Sequence, residues 1–469
     1  MDANFLISSN NKHHKKHQRS MNICDLPDEI LQEIISNLST KEAVQTSILS
    51  KRWIDQWMNI SKIELEEGAP EKRQKIVDFV GKLLVVCSPS NLKKFSLLFE
   101  VGADAPLVNR WLCGFINPNI QELNLDFERV EESLVFPNHL FTSETLIKFQ
   151  LCMQQVINLP SFICFRSLRT LTLKDVIFPA TCSTQNLFSN CPSLEELNLT
   201  DCNWMNVRNV CIACPLLQRV IIREWKDDYK DDDNHSDNGQ GVPNFCRIVI
   251  MGTNLKTFSY DGDLLNDYFL HSATSVVNAI VQVHPADNNN LVAGVFVFKL
   301  LKAVPNVQKL SLNDSAAEAL CHSSFLIANL SLFYNLVELR VVSGVSPINL
   351  TCEALLTVLR KSPSLETVEF VMGVSLPSLP RNDATNISPL PACFGTHLKT
   401  IKIHGFSGNV EELNAIRFLL RAASVLDTLY IYHNEYEFDC PEGPERLNHL
   451  YDLIERFPRT SVDCEVDFD

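Results

Sequence analysis

A six-residue phrase, apolar-x-x-apolar-x-apolar, recurs along most of this chain, and it leaves few folds open. Its copies begin at Leu92 (LKKFSL), Ile120 (IQELNL), Leu146 (LIKFQL), Leu168 (LRTLTL), Leu194 (LEELNL), Leu217 (LQRVII) and Leu255 (LKTFSY), and again at Val307 (VQKLSL), Leu336 (LVELRV), Leu365 (LETVEF), Leu398 (LKTIKI) and Leu426 (LDTLYI). Successive starts are mostly about 22 to 33 residues apart, the spacing of a repeated supersecondary unit. Apolar residues two apart at the end of the phrase suit a strand with one buried face. Cys-Pro-Ser-Leu at Cys191 and Cys-Pro-Leu-Leu at Cys214 read as helix ends turning into the next strand, because the residue before a proline is driven out of the helical region. Each unit therefore reads helix, turn, strand. One such unit cannot cover its own apolar face, so neighbours must stack and create a shared core.

Leu194, Leu197, Leu199 and Cys202 fill an L-x-x-L-x-L-x-x-N/C frame, and the series as a whole resembles the leucine-rich repeat. Most copies lack the final Asn or Cys, which argues against a continuous inner ladder of those side chains. The resemblance implies parallel strands lining a concave face, with helices outside. The x positions, for example Arg169, Thr170, Thr172, Glu195, Glu196, Asn198, Arg219 and Arg340, point away from the core and read first as solvated surface.

Two intervals break the rhythm. The first, Leu217 to Leu255, holds an acidic, polar stretch from Asp227 to Gly239 that reads as a mobile loop; calcium binding is the sharper alternative, but the Gly and distal Glu of an EF-hand loop are missing. The second, Asp261 to Pro305, includes the apolar stretch Leu291–Val304, which fits the outer helix of an atypical repeat. Near the C-terminal end, Asn409 or Gly408 caps a helix expected over Val410–Ala423 between two phrases. Cys393-Phe394 followed by Leu398-Lys399-Thr400, and Glu411-Glu412-Leu413 leading to Leu419-Leu420, resemble the FBD region of plant proteins and imply a C-terminal cap on the stack.

Ahead of the repeats stand three short amphipathic helices. Pro27 suits a first helical turn, and Asp28 and Glu29 place negative charge at the positive end of the helix dipole. Ile30, Leu31, Ile34, Ile35 and Leu38 then recur at helical period, a stripe too wide for so short a helix to bury alone. Ser39-Thr40-Lys41-Glu42 has capping-box spacing and opens a second helix carrying Ala43, Val44, Ile48 and Leu49. Ser50-Lys51-Arg52-Trp53 opens a third, with Trp53 and Trp57 four residues apart on one face. The opening Leu26-Pro27, the apolar helix, the break and the closing Ser-Lys-Arg-Trp together resemble the F-box. That resemblance implies binding to the Skp-family adaptor of an SCF-type ubiquitin ligase, and through it to a cullin scaffold, by Leu26, Pro27, Ile30, Leu31, Ile34, Leu38, Trp53 and Trp57. Which of these face the adaptor and which face inward is not decided by periodicity. A module of about forty residues buries too little surface to be secure by itself, so association would supply the missing burial.

Composition narrows the remaining options. A net charge of −15 argues against nucleic acid as the main partner. The one basic cluster, Lys12 to Arg19, reads as a solvated tail or, alternatively, as a weak nuclear-import signal. No apolar run approaches the roughly 20 residues that cross a bilayer, so a soluble, non-secreted chain in nucleus or cytoplasm is expected, with its 16 cysteines reduced and mostly in the core. No phosphate-binding glycine loop, nucleophile elbow or H-E-x-x-H is present, and the lone C-x-x-C, Cys211 to Cys214, fits core packing better than zinc or redox chemistry. No catalytic residue, metal or cofactor is assigned.

The fold expected is α/β: a basic tail (1–19), a small all-helical F-box (20–65), a leucine-rich-repeat stack (66–388) with the acidic loop near 227–241, and an FBD-like cap (389–469). The function it implies is a non-catalytic substrate receptor that holds an unidentified protein target for ubiquitination. A non-degradative adaptor-binding protein and a small-ligand sensor of the hormone-receptor type are the alternatives.

Overall fold

The computed structural model describes residues 23, 26–68, 73–86, 91–180, 182–226, 246–285, 290–344, 346–377, 387–439 and 443–468. The basic tail and the acidic stretch Asp227–Gly239 lie outside these residues.

All twelve phrases form strands, each beginning two residues after the phrase starts, as in Lys94–Gly102 after Leu92 and Thr170–Lys174 after Leu168. They belong to one sheet of 15 strands, paired in parallel from Lys62–Glu66 to Glu465–Phe468. The three apolar positions of the phrase are buried throughout; at Leu194, Leu197 and Leu199 no more than 1% of the side chain is exposed. Three such side chains per repeat, at roughly 2 kcal/mol each, outweigh the exposed ladder of Lys62, Glu64, Lys94 and Glu122, whose pairs at 2.8–3.5 Å contribute at most about 1 kcal/mol each. A backbone relay ties the units together. The amide after each anchor donates to the corresponding carbonyl of the preceding repeat, as in Gln121 to Lys93, Ile147 to Gln121, Arg169 to Ile147 and Glu195 to Arg169, at 2.7–2.9 Å.

Three strands of the sheet lie outside those phrases. Ile60, Ile63 and Leu65 carry the pattern into Lys62–Glu66, so the sheet begins inside the range read as F-box. Val276, Ala279 and Val281 carry it into Asn278–Val283; the small alanine weakens the signal, and this strand divides the apparent 255–307 gap. In Glu465–Phe468 the register places Asp463 where other repeats have Leu or Val.

Three repeats leave the strand through a left-handed residue seven positions after the phrase starts, Asp175, Asp201 and Met372, with φ of 58°, 50° and 75°; at the same position Gly405, φ 71°, forms a bulge inside Thr400–Phe406. Aspartate and glycine tolerate this region; methionine pays a steric cost there. Cys202 follows one of these turns, and its thiol donates to the Leu173 carbonyl at 3.4 Å, tying one repeat to the last.

Helices cover the inner face of much of the sheet, among them Arg73–Val86, Ala105–Phe115, Cys182–Ser189, Asn290–Ala303 and Glu353–Arg360. The helix read over Leu291–Val304 is thus present. Not every unit is helix, turn, strand, however. The 3₁₀ turn Asn138–Thr142 replaces a helix in one, and a second parallel sheet of Asn209–Ile212, Arg247–Met251 and Asp267–His271 takes the helices' place between Cys182–Ser189 and Asn290–Ala303. Cys214-Pro215 therefore follows a strand rather than a helix: Val210 and Ile212 alternate inward with a period of two.

Glu224 ends one strand in the core under this second sheet, 2% exposed. Its carboxylate accepts from the Tyr260 hydroxyl at 2.7 Å, the Tyr268 hydroxyl at 3.0 Å, the Asn266 amide at 2.9 Å and the Leu265 backbone N–H at 2.9 Å. Gly262 allows the approach, since a Cβ there would stand 2.1 Å from the Glu224 carbonyl oxygen. Burial pushes the Glu224 pKa up, and the bonds from Asn266 and the two tyrosines oppose it only in part.

The C-terminal helix matches its expected capping. Val410–Ala422 opens with a capping box in which Asn409 accepts from the Glu412 amide and Glu412 reaches back to Asn409. Gly443–Glu455 and the strand Glu465–Phe468 follow, with Tyr451 stacked on Phe468 at 3.9 Å.

Two outcomes are expected. Leu197→Asp puts an unpaired carboxylate into the shared core, costs on the order of 4 kcal/mol and exposes neighbouring repeats to protease; an unchanged digestion pattern would show that the strand is not buried. For Glu224, a raised folded pKa means that its stability contribution is complete below the ordinary glutamate value of about 4.3 and is lost as pH rises through the folded value. In denaturant titrations from about pH 4.5 to 8, the midpoint should fall with pH more steeply for the wild type than for Glu224→Gln; parallel curves would contradict the shift.

Candidate interaction surfaces

The N-terminal module consists of α1 (Asp28–Ser36), α2 (Thr40–Gln45), a 3₁₀ turn (Thr46–Ile48) and α3 (Lys51–Trp57). Pro27 stands one residue before the first helical position, in extended conformation. The capping box is present: Glu42 N–H donates to Ser39 Oγ at 3.3 Å, Ser39 N–H donates to Glu42 Oε2 at 3.0 Å, and the bond from the Ser39 side chain holds the Glu42 pKa below its ordinary value. Arg52 Nε donates to Asp28 Oδ1 at 2.8 Å, joining the first turns of α1 and α3.

The structure separates the residues that the F-box resemblance grouped. Leu31, Trp53 and Trp57 are core, 0%, 1% and 8% exposed, and with Ile35 and Ala43 they hold the three helices together. Leu26, Ile34 and Leu38 are half-buried against that core. Pro27 and Ile30 remain on the surface, Ile30 at 41%. Elsewhere in this region Ile23, Ile48 and Leu49 are exposed as well, Ile48 at 87%. The sequence puts Ile48 and Leu49 on the second helix without marking them as surface, whereas that helix ends at Gln45 and Ile48 closes the 3₁₀ turn; the available signal was that so short a module carries more apolar positions than it can enclose.

Polar bookkeeping sets this module apart. The buried side-chain atoms Ser50 Oγ, Trp53 Nε1, Gln56 Oε1 and Trp57 Nε1 have no hydrogen-bond partner among the described residues, an unusual cluster because buried polar groups are nearly always satisfied. The module is fastened to the sheet by Thr40, whose Oγ1 accepts from the Glu64 amide at 2.7 Å, and by Ile60 and Ile63, which continue the core.

The second surface is the face of the sheet opposite the helices. The x positions Arg169, Thr170, Thr172, Glu195, Glu196, Asn198, Arg219 and Arg340 are all half-buried or exposed there or at its edge, as expected. Toward the C-terminal end the face becomes aromatic. His404 stacks on Tyr432 at 4.3 Å, Tyr430 lies next to Tyr432, Lys402 Nζ sits 6.0 Å from the Tyr430 ring, and Glu369 faces both His404 and Arg340.

Cys211 and Cys214 behave as packing residues: Cys214 is 3% exposed, donates to the Phe188 carbonyl at 3.3 Å, and burial pushes its pKa up to about 12. No cluster of three potential metal ligands occurs among the described residues, and no helix among them is long and apolar enough to cross a membrane.

Comparison with known proteins agrees with this geometry. The F-box domain model matches residues 23–63, a model of the LRR repeats of FBD-associated F-box protein At5g56370 matches 108–232, and the FBD model matches 386–431. The chain is similar to F-box protein At3g59000 of Arabidopsis thaliana, 28% identical over 94% of this chain and 92% of that one. It is 30% identical to F-box/LRR-repeat protein At3g26922 of the same plant, over 63% of this chain and 90% of the relative, and 26% identical to putative FBD-associated F-box protein At1g55030, over 95% and 97%. Proteins of this kind are generally non-catalytic adaptors. With helical module, parallel repeats and C-terminal region each matched in order along one chain, this protein belongs to the F-box/LRR-repeat family, in its FBD-associated form.

Proposed function

We propose that the protein is the substrate-recognition subunit of an SCF-type E3 ubiquitin ligase, acting in nucleus or cytoplasm. In this reading the F-box holds a Skp-family adaptor and through it a cullin, while the open face of the sheet holds a protein target. The chain itself performs no chemistry. It brings the target's lysines close to a ubiquitin-charged enzyme, so the gain comes from effective concentration and orientation. The observation that carries the reading is the surplus of exposed apolar side chains on the small module, Pro27, Ile30, Ile48 and Leu49, alongside its unpaired buried polar atoms. Such a surface is costly to leave in water and is relieved by a partner.

The test separates surface from core. Interface anchors typically contribute about 2 kcal/mol or more, at least about thirtyfold in affinity. Pro27→Ala with Ile30→Asp and Ile48→Asp should therefore abolish co-purification of the adaptor while the melting temperature barely moves. Trp53→Ala should lower that temperature, because it removes a buried side chain. Undiminished adaptor recovery by the folded triple variant would overturn the assignment. For the other end, the triple variant should still capture the target and, when overproduced, protect it from turnover. A target degraded at the normal rate in cells carrying only that variant would favour a non-degradative role.

A further inference from the structure

Cys321 is the last residue of the helix Asp314–Cys321, and Cys352 caps the N-terminus of Glu353–Arg360 in the following repeat. Their sulfurs are 3.7 Å apart. Among the described residues no other two cysteine sulfurs lie within hydrogen-bonding reach of one another. Cys321 is exposed and its Sγ accepts from the Ala354 N–H at 3.3 Å, so the first turn of the second helix points a donor at it; Cys352 is half-buried behind it. A disulfide needs the sulfurs about 2.05 Å apart, a closure of about 1.7 Å from the observed contact.

We propose that Cys321 and Cys352 are an oxidant-responsive thiol pair, Cys321 the nucleophile that meets a hydroperoxide and Cys352 the resolving thiol, closing a disulfide between adjacent repeats. The hydrogen bond from Cys352 holds the Cys321 pKa below its ordinary value against burial and the nearby Glu353 carboxylate, with the Ala354 N–H helping, which favours its thiolate. The same bond raises Cys352, which keeps its proton while its neighbour is charged.

The sequence of events balances. The Cys321 thiolate attacks one oxygen of the hydroperoxide; the O–O bond breaks, the leaving oxygen takes a proton as alcohol or water, and sulfur is oxidised to sulfenic acid. The negative charge that held the Cys352 proton is then gone. Cys352 gives up that proton and attacks the Cys321 sulfur; the S–O bond breaks and hydroxide leaves with the proton as water. Two thiols and one hydroperoxide give one disulfide, one alcohol or water, and one water. A dithiol restores the pair. The bond would clamp a helix end of one repeat to a helix start of the next across the strand Glu338–Val342, fixing two units of the stack relative to each other.

The full chain is treated with equimolar hydrogen peroxide at neutral pH, quenched with a maleimide and mapped by mass spectrometry. The expected first product is a peptide joining Cys321 to Cys352, reversed by dithiothreitol and formed before the exposed Cys113 and Cys182 are oxidised. Cys352→Ser should leave Cys321 as a sulfenic acid trapped by dimedone, whereas Cys321→Ser should leave Cys352 fully maleimide-reactive. The proposal is overturned if wild-type Cys321 accumulates as sulfinic acid with Cys352 still free, or if the link forms no earlier than general oxidation of Cys113 and Cys182. The wild-type map decides between these outcomes without relying on either variant.

Discussion

Everything in this protein depends on a backbone carbonyl at the second position of each repeat that accepts from the next repeat, with a buried leucine or its equivalent immediately before it. The relay Lys93, Gln121, Ile147, Arg169, Glu195, Gln218 sets the spacing of the units, and the anchors Leu92, Ile120, Leu146, Leu168, Leu194 and Leu217 exclude water from it. Neither part suffices without the other. A single unit has too little apolar surface to pay its ordering entropy, and an exposed strand edge would bond water as readily as protein. Stacking meets both needs together, so stability is a property of neighbouring pairs of repeats.

This arrangement frees the rest of the chain to vary. Because the buried positions and the relay fix the strand, what fills the opposite layer can change from repeat to repeat: a long helix at Asn290–Ala303, a 3₁₀ turn at Asn138–Thr142, a second sheet at Val210, Ile248 and Tyr268. The buried Glu224 shows the cost of such a change. Where strands replace a helix, the turn from Asp263 to Asn266 leaves polar groups inside, and one carboxylate accepts from two tyrosines, an asparagine and the backbone to satisfy them.

The helical module works by the opposite logic. Its core is only a few side chains, Leu31, Ile35, Ala43, Trp53 and Trp57, and its closest ally is the first strand, through Thr40 and Glu64. A stack whose unpartnered buried side-chain atoms are scattered, at Asn198, Ser343 and His404, is joined to a module that gathers four of them between Ser50 and Trp57. That asymmetry underlies the proposed division between target binding and adaptor binding.

The sequence by itself determined the strand positions, because a buried anchor, two alternating apolar residues and a short period leave a mark that neighbours cannot erase; all twelve phrases from Leu92 to Leu426 became strands of one sheet. It determined the helix cap at Ser39 as well, since a capping box is satisfied within four residues, and narrowed the later cap to Asn409 or Gly408, of which the structure has Asn409. Where the pattern was diluted, by Ala279 or by Asp463 in place of a leucine, the strand was hidden because only the register with its neighbour specifies it. Tertiary structure alone decided which apolar residues of the module face inward. Period places Ile30 and Leu31 on one stripe, but burial depends on which helices pack across it, and so Trp53 went to the core while Ile30 and Ile48 stayed in water. It also decided that Cys321 and Cys352, far apart in the chain and unremarkable there, stand with their sulfurs in contact, because only the stacking of one repeat on the next brings a helix end to a helix start.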